Sequence, residues 1–109
     1  MQESKSRFLE LNKTDYPQID EFGLPLEGDR IYIDESTGEH IILRFIHGFL
    51  NGDSFDENGN FLMQTPAVEG SGHLEYWRAN KLHRDDGEPA VITNGFRDKE
   101  WWENGERIK

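Results

Sequence analysis

Apolar residues along this chain arrive in short bursts, each closed by turn-forming residues, and no stretch repeats them at the spacing of an amphipathic helix. The run Arg30-Ile31-Tyr32-Ile33 is β-branched and aromatic, Ser36-Thr37-Gly38 is turn-like, and His40-Ile41-Ile42-Leu43-Arg44-Phe45-Ile46 is strand-forming again, which predicts a β-hairpin. Further apolar pieces, Phe49-Leu50 and Phe61-Leu62-Met63, flank Asn51-Gly52-Asp53 and Asp56-Glu57-Asn58-Gly59-Asn60. The Asn-Gly pairs there favour the positive φ of tight hairpin turns. Leu74-Glu75-Tyr76-Trp77, Ala90-Val91-Ile92 and Glu100-Trp101-Trp102 continue the series of short strands. Residues 1–29 read differently: charges mix with Pro17, Gly23, Pro25 and Gly28, and only Phe8, Leu9 and Leu11 suggest a helical turn. Phe8, Tyr16, Ile19 and Phe22 are the residues this segment could pack across the sheet.

Self-comparison adds a repeat. Thr65-Pro66-Ala67-Val68 recurs as Glu88-Pro89-Ala90-Val91, and Glu75-Tyr76-Trp77 recurs as Glu100-Trp101-Trp102, at offsets of 23 and 25 residues. A period in the low twenties suits one hairpin per unit, stacked on its neighbours to bury an apolar face. An earlier, degenerate copy starts at Arg44-Phe45-Ile46-His47-Gly48-Phe49-Leu50. The run Leu82-His83-Arg84-Asp85-Asp86-Gly87-Glu88-Pro89-Ala90-Val91-Ile92, between Tyr76-Trp77 and Trp101-Trp102-Glu103-Asn104-Gly105, resembles the His-Arg-x-Asp-Gly-Pro-Ala hairpin-repeat proteins of bacteria, phages and large viruses, distant relatives of MORN-type repeats. It departs from that pattern where Ala79-Asn80-Lys81 replaces Asn-Gly-Lys and where Glu88 precedes Pro89. The resemblance, which covers the C-terminal third, implies a twisted antiparallel sheet of stacked hairpins and a scaffold or binding role without an active site. The expected fold is therefore mainly β: an antiparallel sheet or meander of stacked β-hairpin repeats with an irregular acidic N-terminal segment. One domain is expected over 1–109, with 1–29 an irregular or capping lead-in, 30–64 β-hairpins and 65–109 hairpin repeats.

Composition narrows the function classes. The formal net charge is −10, a field that repels nucleic-acid phosphate. It is unevenly placed, with 13 acids and 5 bases in residues 1–60 against 9 and 7 in residues 61–109. With no cysteine, disulfides and thiolate chemistry are excluded. A start without a signal-peptide run and the lack of a long apolar stretch point to a cytoplasmic protein off the membrane.

The candidate chemistry is sparse. His83, Arg84, Asp85 and Asp86 form the one close group of base, cation and carboxylates, but Asp-Asp-Gly before proline is a turn signal, so His83, Arg84, Asp85, Asp86 and Gly87 are read as a structural turn. A small hydrolase centred on His83, Asp85 and Asp86 is the enzymatic alternative. His40, His47, His73 and His83 lack metal-ligand spacing, and Asp53, Asp56, Asn58 and Asn60 lack the order of a calcium loop, so no metal and no cofactor are expected. The residues expected to meet a partner are Trp77, Trp101, Trp102, Arg78 and Arg97 on the aromatic side, and Asp20, Glu21, Asp34 and Glu35 on the acidic side. Of Trp101 and Trp102, one should face the core and one outward. Two binding readings follow: a non-enzymatic adaptor or inhibitor of another protein, and an acidic nucleic-acid mimic, of the phage anti-defence type, aimed at a basic nucleic-acid-binding partner. An uncovered sheet edge would also admit pairing with a second copy.

Overall fold

The alternation in His40–Ile46 decides which way the sheet faces. In the computed structural model, which describes residues 3–109, Ile41, Leu43 and Phe45 are buried, whereas the residues between them are only partly covered. This strand, β2, pairs antiparallel with the preceding β1 (Gly28–Ile33) through the register Ile33↔His40 to Gly28↔Phe45. The predicted hairpin is thus present, and two residues longer at its start.

The chain then adds β3 (Phe49–Leu50), β4 (Asp53–Phe55), β5 (Phe61–Gln64), β6 (Val68–Gly70), β7 (His73–Glu75), β8 (Trp77–Arg78), β9 (Lys81–Leu82), β10 (Val91–Thr93), β11 (Asp98–Glu100), β12 (Trp102–Glu103) and β13 (Glu106–Arg107). The main sheet runs β1-β2-β6-β7-β10-β11, with β3 also on β2, and all its pairings are antiparallel. Three two-stranded hairpins, β4–β5, β8–β9 and β12–β13, complete a mainly β fold. A 3-10 turn at Leu9–Lys13 is the one helical element among the described residues, and no helix there is long and apolar enough to cross a membrane.

Two predicted strands are broken in the middle. Leu74–Trp77 divides at Tyr76 into β7 and β8, and Glu100–Trp102 divides at Trp101 into β11 and β12. At the first break the Tyr76 N–H donates to Ala90 O (2.7 Å) while its carbonyl accepts from His83 (3.0 Å), so the chain changes neighbours there. After each division a two-residue turn follows: Ala79-Asn80 has φ of 51° and 61°, and Asn104-Gly105 has 50° and 84°. His47-Gly48, between β2 and β3, has 51° and 87°. Positive φ at both positions is the hairpin turn that matches strand twist. The pairs Phe45↔Leu50, Trp77↔Leu82 and Trp102↔Arg107 open the β2–β3, β8–β9 and β12–β13 hairpins in the same register.

These pairs bring the apolar residues together. Phe45, Leu50, Trp77, Leu82 and Trp102 join Ile41, Leu43, Ala67, Val68, Tyr76, Ala90 and Val91 in one core, with Phe8, Leu9 and Leu11 packed against it from the N-terminal segment. Phe8 meets Tyr32 edge-on at 5.3 Å between ring centroids. Tyr16, Ile19 and Phe22, also expected to cover the sheet, are instead exposed. After Pro17 the chain meets the β2–β3 turn, where Gln18 N–H donates to Gly48 O (2.5 Å).

Candidate functional site

Phe22 sits at the tip of a turn that Asp20 builds. The Asp20 carboxylate Oδ1 accepts the backbone N–H groups of Phe22 (2.8 Å) and Leu24 (2.9 Å). Its backbone closes the loop twice more, through Asp20 N–H to Leu24 O (2.8 Å) and Gly23 N–H to Asp20 O (3.0 Å). An Asp side chain that caps its own turn is a recurrent local device, and Gly23, at φ 80°, takes the conformation other residues avoid. The base is tied to the sheet by Leu26 N–H to Gln18 O (3.0 Å) and Gly48 N–H to Leu26 O (2.8 Å). A side chain on Gly48 would lie 2.5 Å from the Pro17 Cβ, so glycine is required for this contact. The result is a fixed projection on which Phe22 is 79% exposed, beside exposed Glu21, Ile19 and Leu24.

A second arrangement lies on the core face. The cross-strand row Leu43, Val68, Glu75, Val91 and Glu100 places two carboxylates among apolar neighbours. Glu75 is fully buried, and its oxygens meet Ser6 Oγ (2.7 Å), Arg7 N–H (2.7 Å), Trp77 Nε1 (2.9 Å) and His73 Nε2 (2.5 Å). Glu100 repeats the pattern with Ser4 Oγ (2.7 Å), Lys5 N–H (2.7 Å) and Trp102 Nε1 (2.9 Å). Residues i and i+2 of an extended chain share a face, which is why each glutamate reaches the indole two residues on. Neither glutamate was among the residues expected at a site. The signal was available, because Glu-x-Trp occurs at residues 75–77 and again at 100–102, and Ser-x-Ser occurs at residues 4–6.

Within His83–Gly87 the backbone turns at Asp86 (φ 64°) and Gly87 (φ 69°). Asp85 receives Arg78 at both oxygens (3.1 and 2.8 Å) and His83 Nε2 (2.8 Å). Arg78 hydrogen bonding first, and His83 second, hold the Asp85 carboxyl down at about 2. The Arg78 guanidinium also grips Asp53 (2.6 and 3.2 Å), and these two acids, Asp85 first, raise its affinity for its proton further. His83 Nδ1 accepts the Asn104 N–H (3.1 Å), so both ring nitrogens are engaged inside the protein. Arg84 stacks over the Tyr76 ring at 3.8 Å and donates to Pro89 O (3.1 Å).

The structure separates the other candidates. Trp77 is fully buried and Trp102 is 8% exposed, because each closes a hairpin over the core; neither forms a contact surface, which corrects their expected partner role. Trp101 points the other way, is half-buried, and donates its Nε1–H to Gly87 O (3.1 Å) with Lys109 Nζ 5.1 Å from its ring. Arg78 is committed to Asp53 and Asp85, whereas Arg97 is exposed. On the acidic side, Asp20 is used by its own turn and Asp34 pairs with Arg7 (2.9 Å), while Glu21 and Glu35 are exposed. His47 meets Glu27 (2.6 Å), His73 meets Thr93 (2.7 Å), and Asp56 caps the turn to Asn60. Among the described residues no three His, Asp or Glu side chains converge as a metal site. No protein-family model, curated protein or solved structure matches this chain.

Proposed function

We propose that the protein is a non-enzymatic binding module, an adaptor or inhibitor that engages another protein through the Asp20–Leu24 turn with Phe22 as its anchor. The observation that carries this reading is exposure combined with rigidity. Phe22 is 79% exposed on a turn closed by four hydrogen bonds, two of them to one carboxylate. A side chain whose backbone is already fixed loses less conformational freedom on binding, and aromatic anchors supply much of the energy of protein interfaces. Exposed Glu21 beside it favours a partner pocket that is apolar inside and basic at its rim.

The remainder of the chain is read as the scaffold: stacked hairpin repeats of the MORN-like kind, supported by three two-residue turns opened in one register. The alternative of a nucleic-acid mimic has less support, because Asp34 and Glu39 are both spent on Arg7 and Glu27 on His47. A hydrolase centred on His83 would need a free ring nitrogen, and both are engaged.

The test compares capture of partners from source-cell lysate by the wild-type chain, Phe22→Ala and Trp101→Ala, at low and high salt. The expected result is one partner held by wild type and Trp101→Ala and lost by Phe22→Ala. Full capture by Phe22→Ala would remove the anchor from the proposal. Capture abolished by salt and displaced by DNA would move the conclusion to the nucleic-acid mimic.

A further inference from the structure

Residues 4–7 lie across the core face in a manner unlike the rest of the fold. The segment pairs with no strand; it is held by the two buried carboxylates, each taking one serine hydroxyl and the next backbone N–H. Burial alternates along it: Ser4 and Ser6 are partly covered, Lys5 and Arg7 exposed. The cations between the serines are also read. Lys5 Nζ lies 2.7 Å from Asp98, and Arg7 contacts Asp34 at 2.9 Å and Glu39 at 3.1 Å. Hydroxyls thus point to buried acids and cations to surface acids, with a period of two residues.

This is recognition by donor pattern, with no large apolar side chain of residues 4–7 taking part. An unfilled site would leave two carboxylates beneath the surface with their outward lone pairs unmet, which is costly. Any extended segment presenting the same donors at the same spacing meets the same demand.

We propose that the row formed by Leu43, Val68, Glu75, Val91 and Glu100 is a peptide-recognition site for extended segments with hydroxyl residues at alternate positions and cationic residues between them. Residues 4–7 occupy it in cis, and a basic, hydroxyl-bearing segment of a partner protein occupies it in trans. This goes beyond the Phe22 anchor and does not depend on it: Phe22→Ala leaves this site intact.

The test uses the full chain and a fluorescein-labelled peptide with the sequence of residues 3–8. A tethered segment acts at an effective concentration on the order of millimolar, so wild type resists the free peptide. Ser4→Glu with Ser6→Glu sets acids against Glu100 and Glu75 and expels the segment by like-charge repulsion. That variant is expected to bind the peptide at least about tenfold more tightly than wild type, and a peptide with alanine in place of both serines at least about tenfold more weakly. A folded variant that binds neither peptide, or both equally, overturns the proposal. Amide exchange in the wild-type chain covers a variant that does not fold. The Lys5 and Arg7 amides should exchange at least about tenfold faster than those of Tyr76 and Ala90, by local release. Equal rates would make the segment part of the cooperative core and overturn the proposal independently. A wild-type dimer that dissociates on adding the peptide would support it, with a second copy as the trans occupant.

Discussion

Replacing Glu75 by alanine should cost more than the same change at Glu100, although the two glutamates occupy matching places. At Glu75 the change removes the acceptor of four groups. Ser6 Oγ and the Arg7 N–H lie in a partly covered segment and regain water. Trp77 Nε1 and His73 Nε2 do not, since Trp77 is fully buried and His73 is 2% exposed. Each buried donor left unpaired costs about 1–3 kcal/mol. Losing the desolvation penalty of the carboxylate itself offsets part of this, so the net destabilisation is set at about 3 kcal/mol. Glu100→Ala orphans the Trp102 indole alone among buried donors, for about 1–2 kcal/mol. Urea unfolding followed by tryptophan fluorescence reads both values, with an unchanged m-value marking a change in stability alone. Equal midpoint shifts, or a larger one for Glu100→Ala, would refute the claim that the number of sealed donors governs the cost.

Gly52→Ala should destabilise by about 3 kcal/mol or more, because the added Cβ would sit 1.9 Å from the Thr65 carbonyl oxygen, part of a backbone that cannot swing aside; thermal unfolding measures it. Trp77→Ala should cost about 3–5 kcal/mol and Trp101→Ala about 1, as calorimetry of the two variants would show, since one ring fills the core and the other lies over a turn. Acid titration tests the Arg78–Asp85 pair. Asp85 is held at about 2 in the folded chain against an ordinary 3.8, so its contribution to stability is complete above the ordinary value and is lost as pH falls through about 2. Arg78→Gln should flatten the loss of stability over that window, and an unaltered urea-midpoint profile between pH 4 and pH 2 would contradict the assignment.

Much of the fold is legible in local pattern. The turn residues of Asp85-Asp86-Gly87 and Asn58-Gly59 coincide with bends at positive φ, because these are set by the φ preference and side chains of the same few residues, whereas Asn51-Gly52, expected to turn likewise, takes no positive φ and packs Gly52 against Thr65. Trp101 and Trp102 point opposite ways as strand geometry requires, and the sequence left open which of the two is buried. The site was less legible. Trp77 reads as an exposed aromatic until the β8–β9 hairpin folds over the core and covers it. Phe22 reads as a packing residue, but its turn, anchored at Gly48, leaves the ring exposed.

Residue types and neighbours a few positions apart are enough to make this protein mainly β, built from short antiparallel hairpins, acidic and free of thiol chemistry. Tertiary structure alone decided that Glu75 and Glu100 are buried acceptors, that residues 4–7 supply their donors from 69 and 96 positions away, and that Phe22 is left outside. The physical reason is that burial of a charge and exposure of a ring are properties of what lies opposite in space, and chain closure over such distances is encoded by the whole core and not by any local motif.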